Sequence, residues 1–279
     1  GVPNVRVTIL FPKGKVSLIQ ELQLTTNGQN IRAIEIDGTF DDCQRMVKEA
    51  FKDTWWQNEI HISSANSINI GRLLPQIVYY AYSSIQFVSL YNAFPSYIIP
   101  SGNLGNATAA FWAKEMGFPI KDISLSTNEN RVINNFLESG KFEPQTSVLT
   151  LANAMDVGNP SNFERLVNLF PSYDLFSKNI TSNSVNNDKI KETILKLFNE
   201  EKLIVCPHTA TAFYARKKLN QNPWIVVSTA DPCKFDDIIE PIISTKVPIA
   251  DELNAMLNKK AKIIDINSRL SDIKEAFIY

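Results

Sequence analysis

Short β-branched runs and longer stretches with helical spacing take turns along most of this chain, and that alternation is the strongest constraint on its fold. Strands that alternate with amphipathic helices assemble as βα units, and these build a mainly parallel sheet covered by helices. Residues 5–11 read as a first strand closed by Pro12 and Gly14, and 17–24 as a short helix before an Asn27-Gly28 turn. A strand at 31–36, a helix at 40–51 and a short strand at 60–63 follow. Ser67 is placed to cap a long helix over 68–88, whose stripe Ile70, Leu73, Leu74, Ile77, Val78, Ala81, Ile85 and Val88 fits one buried face. Pro75 falls inside that helix, where it removes a backbone hydrogen bond and predicts a kink. Beyond it come a strand at 97–99, a helix at 107–116 stopped by Gly117, a unit starting at 120–124 and a helix at 132–137. Residues 153–162 read as a loop, 163–170 as a helix, and the Asn/Ser-rich 179–188 as a surface connection. Helix 189–199, strand 203–205, helix 210–219, strand 224–227 and a short helix at 235–239 resume the rhythm, and the tail from Asp251 is weakly patterned.

Composition narrows the function classes. Of 279 residues, 44% are hydrophobic and 20% charged, the balance of an ordinary globular protein of one large or two modest domains. Lys+Arg total 28 against Asp+Glu 29, so no charge field points to nucleic acid or an anionic membrane. No apolar run approaches the ~18–20 residues that span a bilayer. Three separated cysteines, Cys43, Cys206 and Cys233, without CxxC spacing, read as reduced, unbridged and cytoplasmic. Two histidines and no HExxH exclude a multi-histidine metal site. The break between the long helix and the next strand, at 91–96, divides the chain into a smaller domain at 1–96 and a larger one at 97–279.

Three segments carry candidate chemistry. Ser101, Gly102, Asn103, Leu104, Gly105 and Asn106 follow a strand and lead into an Ala-rich helix, the setting in which backbone amides at a helix start cradle a phosphate. An ordinary tight turn has the same look, and the segment is neither a Walker A sequence nor GxGxxG. Asn66, Ser67 and Arg72 group an amide, a hydroxyl and a guanidinium; in one helix, Ser67 and Arg72 lie ~1.4 turns apart and face one anion. Helix capping beside a solvated arginine is the plainer alternative. At 226–235 a strand ends in Ser228 and Thr229, where open α/β sheets put ligands. His208, in Cys206-Pro207-His208-Thr209-Ala210, is either a base or a capping or core histidine.

Taken in order, these segments resemble the threonine synthase family of the fold type II, tryptophan synthase β-like superfamily of pyridoxal-phosphate (PLP) enzymes. The resemblance rests on Gly1-Val2-Pro3-Asn4-Val5 with Phe11-Pro12-Lys13-Gly14-Lys15-Val16-Ser17, on Ser64-Ala65-Asn66-Ser67-Ile68-Asn69 with Arg72, and on the 100–106 loop. It continues through Asn153-Ala154-Met155-Asp156-Val157, Ser161-Asn162-Phe163-Glu164-Arg165, Pro207-His208-Thr209-Ala210, and Ser228-Thr229-Ala230 with Pro232 and Lys234-Phe235. It implies two three-layer α/β/α domains, incomplete at the N-terminus, with the substrate side in 1–96 and the PLP site in 97–279. The implied reaction converts O-phosphohomoserine and water to L-threonine and phosphate.

By position, Ser101, Gly102, Asn103, Leu104, Gly105 and Asn106 would hold the PLP phosphate and Thr229 the pyridine nitrogen. Asn66, Ser67 and Arg72 would meet the substrate phosphate. The family's Schiff-base lysine and its substrate-carboxylate loop lie upstream of the position matching Gly1. The expectation is therefore a piece of a longer enzyme, whose missing N-terminal segment is its partner and which is inactive alone. Two residues depart from the family pattern: Asp231 stands where a histidine is usual, and Pro75 where a helix-compatible residue is. Another fold type II lyase, or a catalytically dead phosphate-ligand-binding homologue, are the alternative readings.

Overall fold

The computed structural model describes residues 2–16, 18–27 and 30–278, so Ser17 and the Gly28 of the expected turn lie outside it. In chain order its elements are β1 (Val7–Pro12), α1 (Leu18–Thr25), β2 (Ile31–Asp37), α2 (Phe40–Lys52), α3 (Ile70–Leu73), α4 (Ile77–Tyr91), β3 (Ser96–Pro100), α5 (Gly105–Glu115), β4 (Ile123–Thr127) and α6 (Val132–Ser139). Then come α7 (Phe163–Leu169), α8 (Tyr173–Asn179), β5 (Thr181–Ser184), α9 (Asn187–Lys196), α10 (Pro207–Arg216), β6 (Trp224–Val226), α11 (Asp236–Ile243), α12 (Asp251–Leu257), β7 (Ile263–Asn267) and α13 (Leu270–Ile278).

The contacts divide the chain into Gly1–Ser63 with Pro248–Tyr279, and Ser64–Val247. The division expected at residue 96 is therefore replaced by one at residue 63, with the tail returning to the first unit. The cause is visible in the second unit: α4 packs on α5, and Tyr80 of α4 stands edge-on to Tyr97 of β3 with ring centroids 5.1 Å apart, so the turn at 91–96 joins elements of one core.

The first unit holds a parallel sheet in the order β1-β2-β7. Ile34, Ile36, Met46, Trp56 and Ile273 form its core. Its helix α2 starts where Thr39 and Asp42 cap each other's backbone amides reciprocally. The tail read as weakly patterned supplies β7, a strand paired with β2 in which Ile263 and Ile266 are half-buried and the other three residues exposed.

The second unit holds a parallel sheet in the order β5-β4-β3-β6. Both β3 and β4 are buried at every position, which suits runs such as Tyr97-Ile98-Ile99 that lack polar alternation. Tyr97, Ile99, Phe111, Leu125, Phe136 and Phe176 anchor the core.

Four local expectations are corrected. Residues 60–63 form no strand: a π-helical turn over Trp56–Ile60 is followed by His61 in the left-handed region, φ 52°. The long helix is broken at Pro75 into α3, a 3₁₀ turn at Leu74–Gln76 and α4, and Asn69, not Ser67, caps it by accepting from the Gly71 amide. Its apolar stripe is not a buried face: Leu73 and Ile77 are buried, whereas Ile70, Leu74, Val78 and Ile85 are about half exposed. The polar segment 179–188 is no mere connection, since Thr181–Ser184 pairs with β4; residues 203–205, by contrast, pair with nothing in either sheet.

Candidate functional site

The loop 101–106 leaves the C-terminal end of β3, the buried strand at the centre of the second unit's sheet. Its first residue continues the ladder: the Ser101 amide donates to the Ser126 carbonyl (2.8 Å), and its hydroxyl turns back to the Ile99 carbonyl (3.0 Å). At Gly102 a Cβ would lie 2.6 Å from Met155 Cα and 3.2 Å from the Ala154 carbonyl oxygen, so only glycine lets the 153–155 turn press against the loop. Leu104 is held left-handed at φ 63°, a conformation that costs a non-glycine residue roughly 1–2 kcal/mol. Immediately after it α5 begins with no side chain capping it. The amides of its first turn are thus left for an anion, in the positive end of the helix dipole.

Asn103 ties this loop to two distant segments. Its amide group donates to Ser67 Oγ (2.7 Å), and its Oδ1 accepts from the Ser161 amide (2.6 Å) and hydroxyl (2.9 Å). Asn162 donates to the Asn103 carbonyl (2.8 Å). Arg165 donates to the carbonyls of Ser67 (3.2 Å) and Ile68 (2.8 Å) and to the Asn162 side chain. The three motifs are therefore one knot, in which guanidinium and amides satisfy carbonyls that a loop would otherwise leave bare.

A cavity of about 570 Å³ lies beside the knot, within the range of small-molecule sites. Arg72, Tyr80, Tyr97, Asn106, Ser228 and Thr229 are among its lining residues. Thr229 is exposed at this cavity, three residues past β6. The Tyr80 hydroxyl donates to Asn106 Oδ1, and Tyr97 shares a 2.7 Å hydrogen bond with Ser83. Burial, joined by the neighbouring Tyr97, pushes the Tyr80 phenol well above its usual range, and burial also raises Tyr97. Both act here as neutral hydroxyls.

All the expected site residues fall in Ser64–Val247, so Asn66, Ser67 and Arg72 belong to the same unit as the loop rather than to a separate smaller domain. Arg72, Asn106 and Thr229 meet at one cavity. Ser67 and Arg72 do not face one anion from a shared helix: Ser67 precedes the helix start, and its hydroxyl is occupied by Asn103 and Asn66. Asn66 Oδ1 accepts from Ser67 and from the Ile68 amide (3.4 Å).

Sequence spacing did not reveal the supporting roles of Ser161, Asn162, Arg165 and Tyr80, although the first three stand in a motif quoted above. Asp231, the departure from histidine, caps the Pro232–Phe235 turn by accepting from the Cys233 amide (2.9 Å). Among the described residues no group of His, Cys, Asp or Glu is arranged to hold a metal, and no helix is long and apolar enough to cross a membrane.

A family model for pyridoxal-phosphate dependent enzymes matches residues 2–229, ending on Thr229 itself, and a threonine synthase C-terminal model matches 205–278. The chain belongs to the pyridoxal-phosphate dependent enzyme family. It is 39% identical over 278 residues to the threonine synthase of Buchnera aphidicola from Acyrthosiphon pisum, covering 98% of this chain and 64% of that one. The crystal structure of Escherichia coli threonine synthase superposes with TM-score 0.90 at 34% identity, over 100% of this chain and 65% of that one. A PLP-bound threonine synthase from Brucella melitensis gives 0.88 at 29% identity, over 98% and 65%. The chain thus spans about two-thirds of the length of these relatives. The fold is that of this PLP-dependent family, fold type II, with its parallel sheets and helices.

Proposed function

We propose that this chain is the cofactor-phosphate and substrate-phosphate side of a threonine synthase, which converts O-phosphohomoserine and water to L-threonine and phosphate. One observation carries the reading: an uncapped helix start on a glycine-dependent loop adjoins a cavity that Arg72, Asn106 and Thr229 share. The relatives named above, all threonine synthases, support it.

The residues fit PLP. The amides of the loop Ser101, Gly102, Asn103, Leu104, Gly105 and Asn106 would take its phosphate dianion, with Asn103 fixing the loop through Ser67 and Ser161. Thr229 would face the pyridine nitrogen; a hydroxyl there does not hold that nitrogen protonated as a carboxylate does. When bound, PLP supplies an electron sink for proton loss next to the amino-bearing carbon and one carbon further on. Arg72, exposed and lining the cavity, would receive the substrate phosphate, the group that leaves. Ser67 and Asn66 would act on it through their shared turn. The lysine that anchors PLP lies in none of the motifs matched within these residues, so these 279 residues alone would release no phosphate. The three cysteines, buried and unbridged, suit the reducing cytoplasm where we place the enzyme.

The test is phosphate release from O-phosphohomoserine by the purified enzyme that contains these residues together with the PLP-anchoring lysine, compared with oxo-acid formation from L-serine and L-threonine. Release from phosphohomoserine, lowered at least about 100-fold by Arg72→Ala, is expected. Oxo-acid formation without phosphate release would identify a different fold type II lyase. Binding of phosphorylated ligands with neither reaction would identify a dead homologue.

A further inference from the structure

His208 is 3% exposed, near the start of α10, with its ring 4.7 Å from that of Phe235. Its Nε2 accepts the Ala154 amide at 3.1 Å, while Nδ1 has no partner among the described residues. A buried imidazole that leaves one nitrogen unsatisfied is a poor choice for packing alone, because an aliphatic side chain would carry no such penalty. The one polar contact its ring makes among the described residues is what sets it apart from an aliphatic side chain. That contact grips the turn that touches the phosphate loop: Ala154 and Met155 are the residues against which Gly102 is pressed. The turn's next residue is held from the other side, Asp156 accepting from Asn128 (2.7 Å), from the Thr150 hydroxyl (2.7 Å) and amide (3.0 Å), and from Asn130 (3.1 Å). Since Nε2 accepts, the neutral ring carries its proton on Nδ1.

We infer that His208 is a positioning residue for the phosphate loop: as the neutral Nδ1–H tautomer it clamps the Ala154 amide and thereby sets the 153–155 turn against Gly102. Burial pushes its pKa down to about 4, so the ring stays an acceptor near neutral pH. The inference rests on the proposed phosphate role of residues 101–106.

The experiment measures the affinities of 4-deoxypyridoxine 5′-phosphate and of 4-deoxypyridoxine, neither of which forms an imine with lysine, for the unmutated protein, His208→Leu and His208→Gln. Leucine keeps the volume without an acceptor, whereas the glutamine amide oxygen restores one. The preference for the phosphorylated ligand is expected to shrink about tenfold in His208→Leu and to recover in His208→Gln. An unchanged preference in His208→Leu, or no recovery in His208→Gln, overturns the inference while leaving the phosphate reading intact. No preference in the unmutated protein overturns both. Imidazole ¹⁵N spectra of the unmutated protein at about pH 6 give a check that needs no variant: a neutral Nδ1–H ring is required, and a ring protonated at Nε2 refutes the clamp.

Discussion

The two parallel sheets of this chain differ in how they are covered. In the second unit β3 and β4 are buried at every position, whereas in the first unit β1 is mostly half-buried and β7 has no buried position. A strand packed on both faces cannot shift without opening a core at organic-crystal density, so a loop leaving its C-terminal end starts from a fixed point. Every residue of the candidate site lies in that second unit. The half-covered sheet carries charged groups instead, such as Lys13, which meets Asp265 at 3.1 Å and Glu35 at 3.6 Å. The candidate site sits on the sheet whose strands are the more deeply buried.

The sharpest way to break this contrast is to add one methyl group to a glycine in each unit. Gly102→Ala would force the 153–155 backbone away; we expect the affinity for 4-deoxypyridoxine 5′-phosphate to fall by at least about 100-fold, with a loss of about 1–3 kcal/mol in denaturant unfolding. Gly14→Ala in the first unit meets nothing within 4 Å; its positive φ of 63° is the only cost, about 1 kcal/mol, and ligand binding should not change. In stability alone the larger loss is at Ile98→Ala in β3, which leaves ligand contacts untouched but should cost about 2–5 kcal/mol and raise amide exchange throughout the second unit. Ile264→Ala in β7, already 39% exposed, should cost less than about 1 kcal/mol, with any added exchange confined to the first unit.

Acid provides a third contrast. The folded His208 ring has its pKa lowered to about 4 by burial, against 6.5 ordinarily, so the unfolded chain binds the extra proton across that window. Stability from this group is complete above pH 6.5 and is lost as pH falls towards 4, by roughly 3 kcal/mol. His208→Gln should flatten that slope when unfolding is followed at a series of pH values. The smallest expected effect is at Lys13→Met: its 3.1 Å pair with Asp265 is solvent-exposed and its contact with the mostly buried Glu35 is long, 3.6 Å, so stability should fall only slightly and ligand affinity should not change.

Where local pattern and packing agree, the sequence was readable. Residues 97–99 and 224–227 lack polar alternation and became β3 and β6, Pro75 broke its helix, and the glycine-bearing loop sits at a strand end as expected. Non-local pairing was not readable. Thr181-Ser182-Asn183-Ser184 has the composition of a loop, yet becomes a strand because β4 offers it a ladder. Asp265 pairs with Glu35 across 230 positions of sequence, a partner that no window of spacing reveals. The stripe on α4 misled in the opposite direction: its apolar spacing was real, but Val78 and Ile85 face outwards while Tyr80 and Ser84 are buried. At the site, the loop itself was legible, but the Asn103 knot was not, because Ser67, Ser161 and Arg165 come from segments far apart in sequence.

The central claim is that residues 101–106 recognise the cofactor's phosphate while Thr229 recognises its ring. Calorimetric titration with 4-deoxypyridoxine 5′-phosphate and with its unphosphorylated form tests it directly. The account predicts at least about 100-fold tighter binding of the phosphorylated ligand, or roughly 2.7 kcal/mol. Gly102→Ala should abolish that ratio, whereas Thr229→Val should weaken both ligands alike and leave the ratio unchanged. Equal affinities for the two ligands in the unmutated protein would contradict the assignment of the loop.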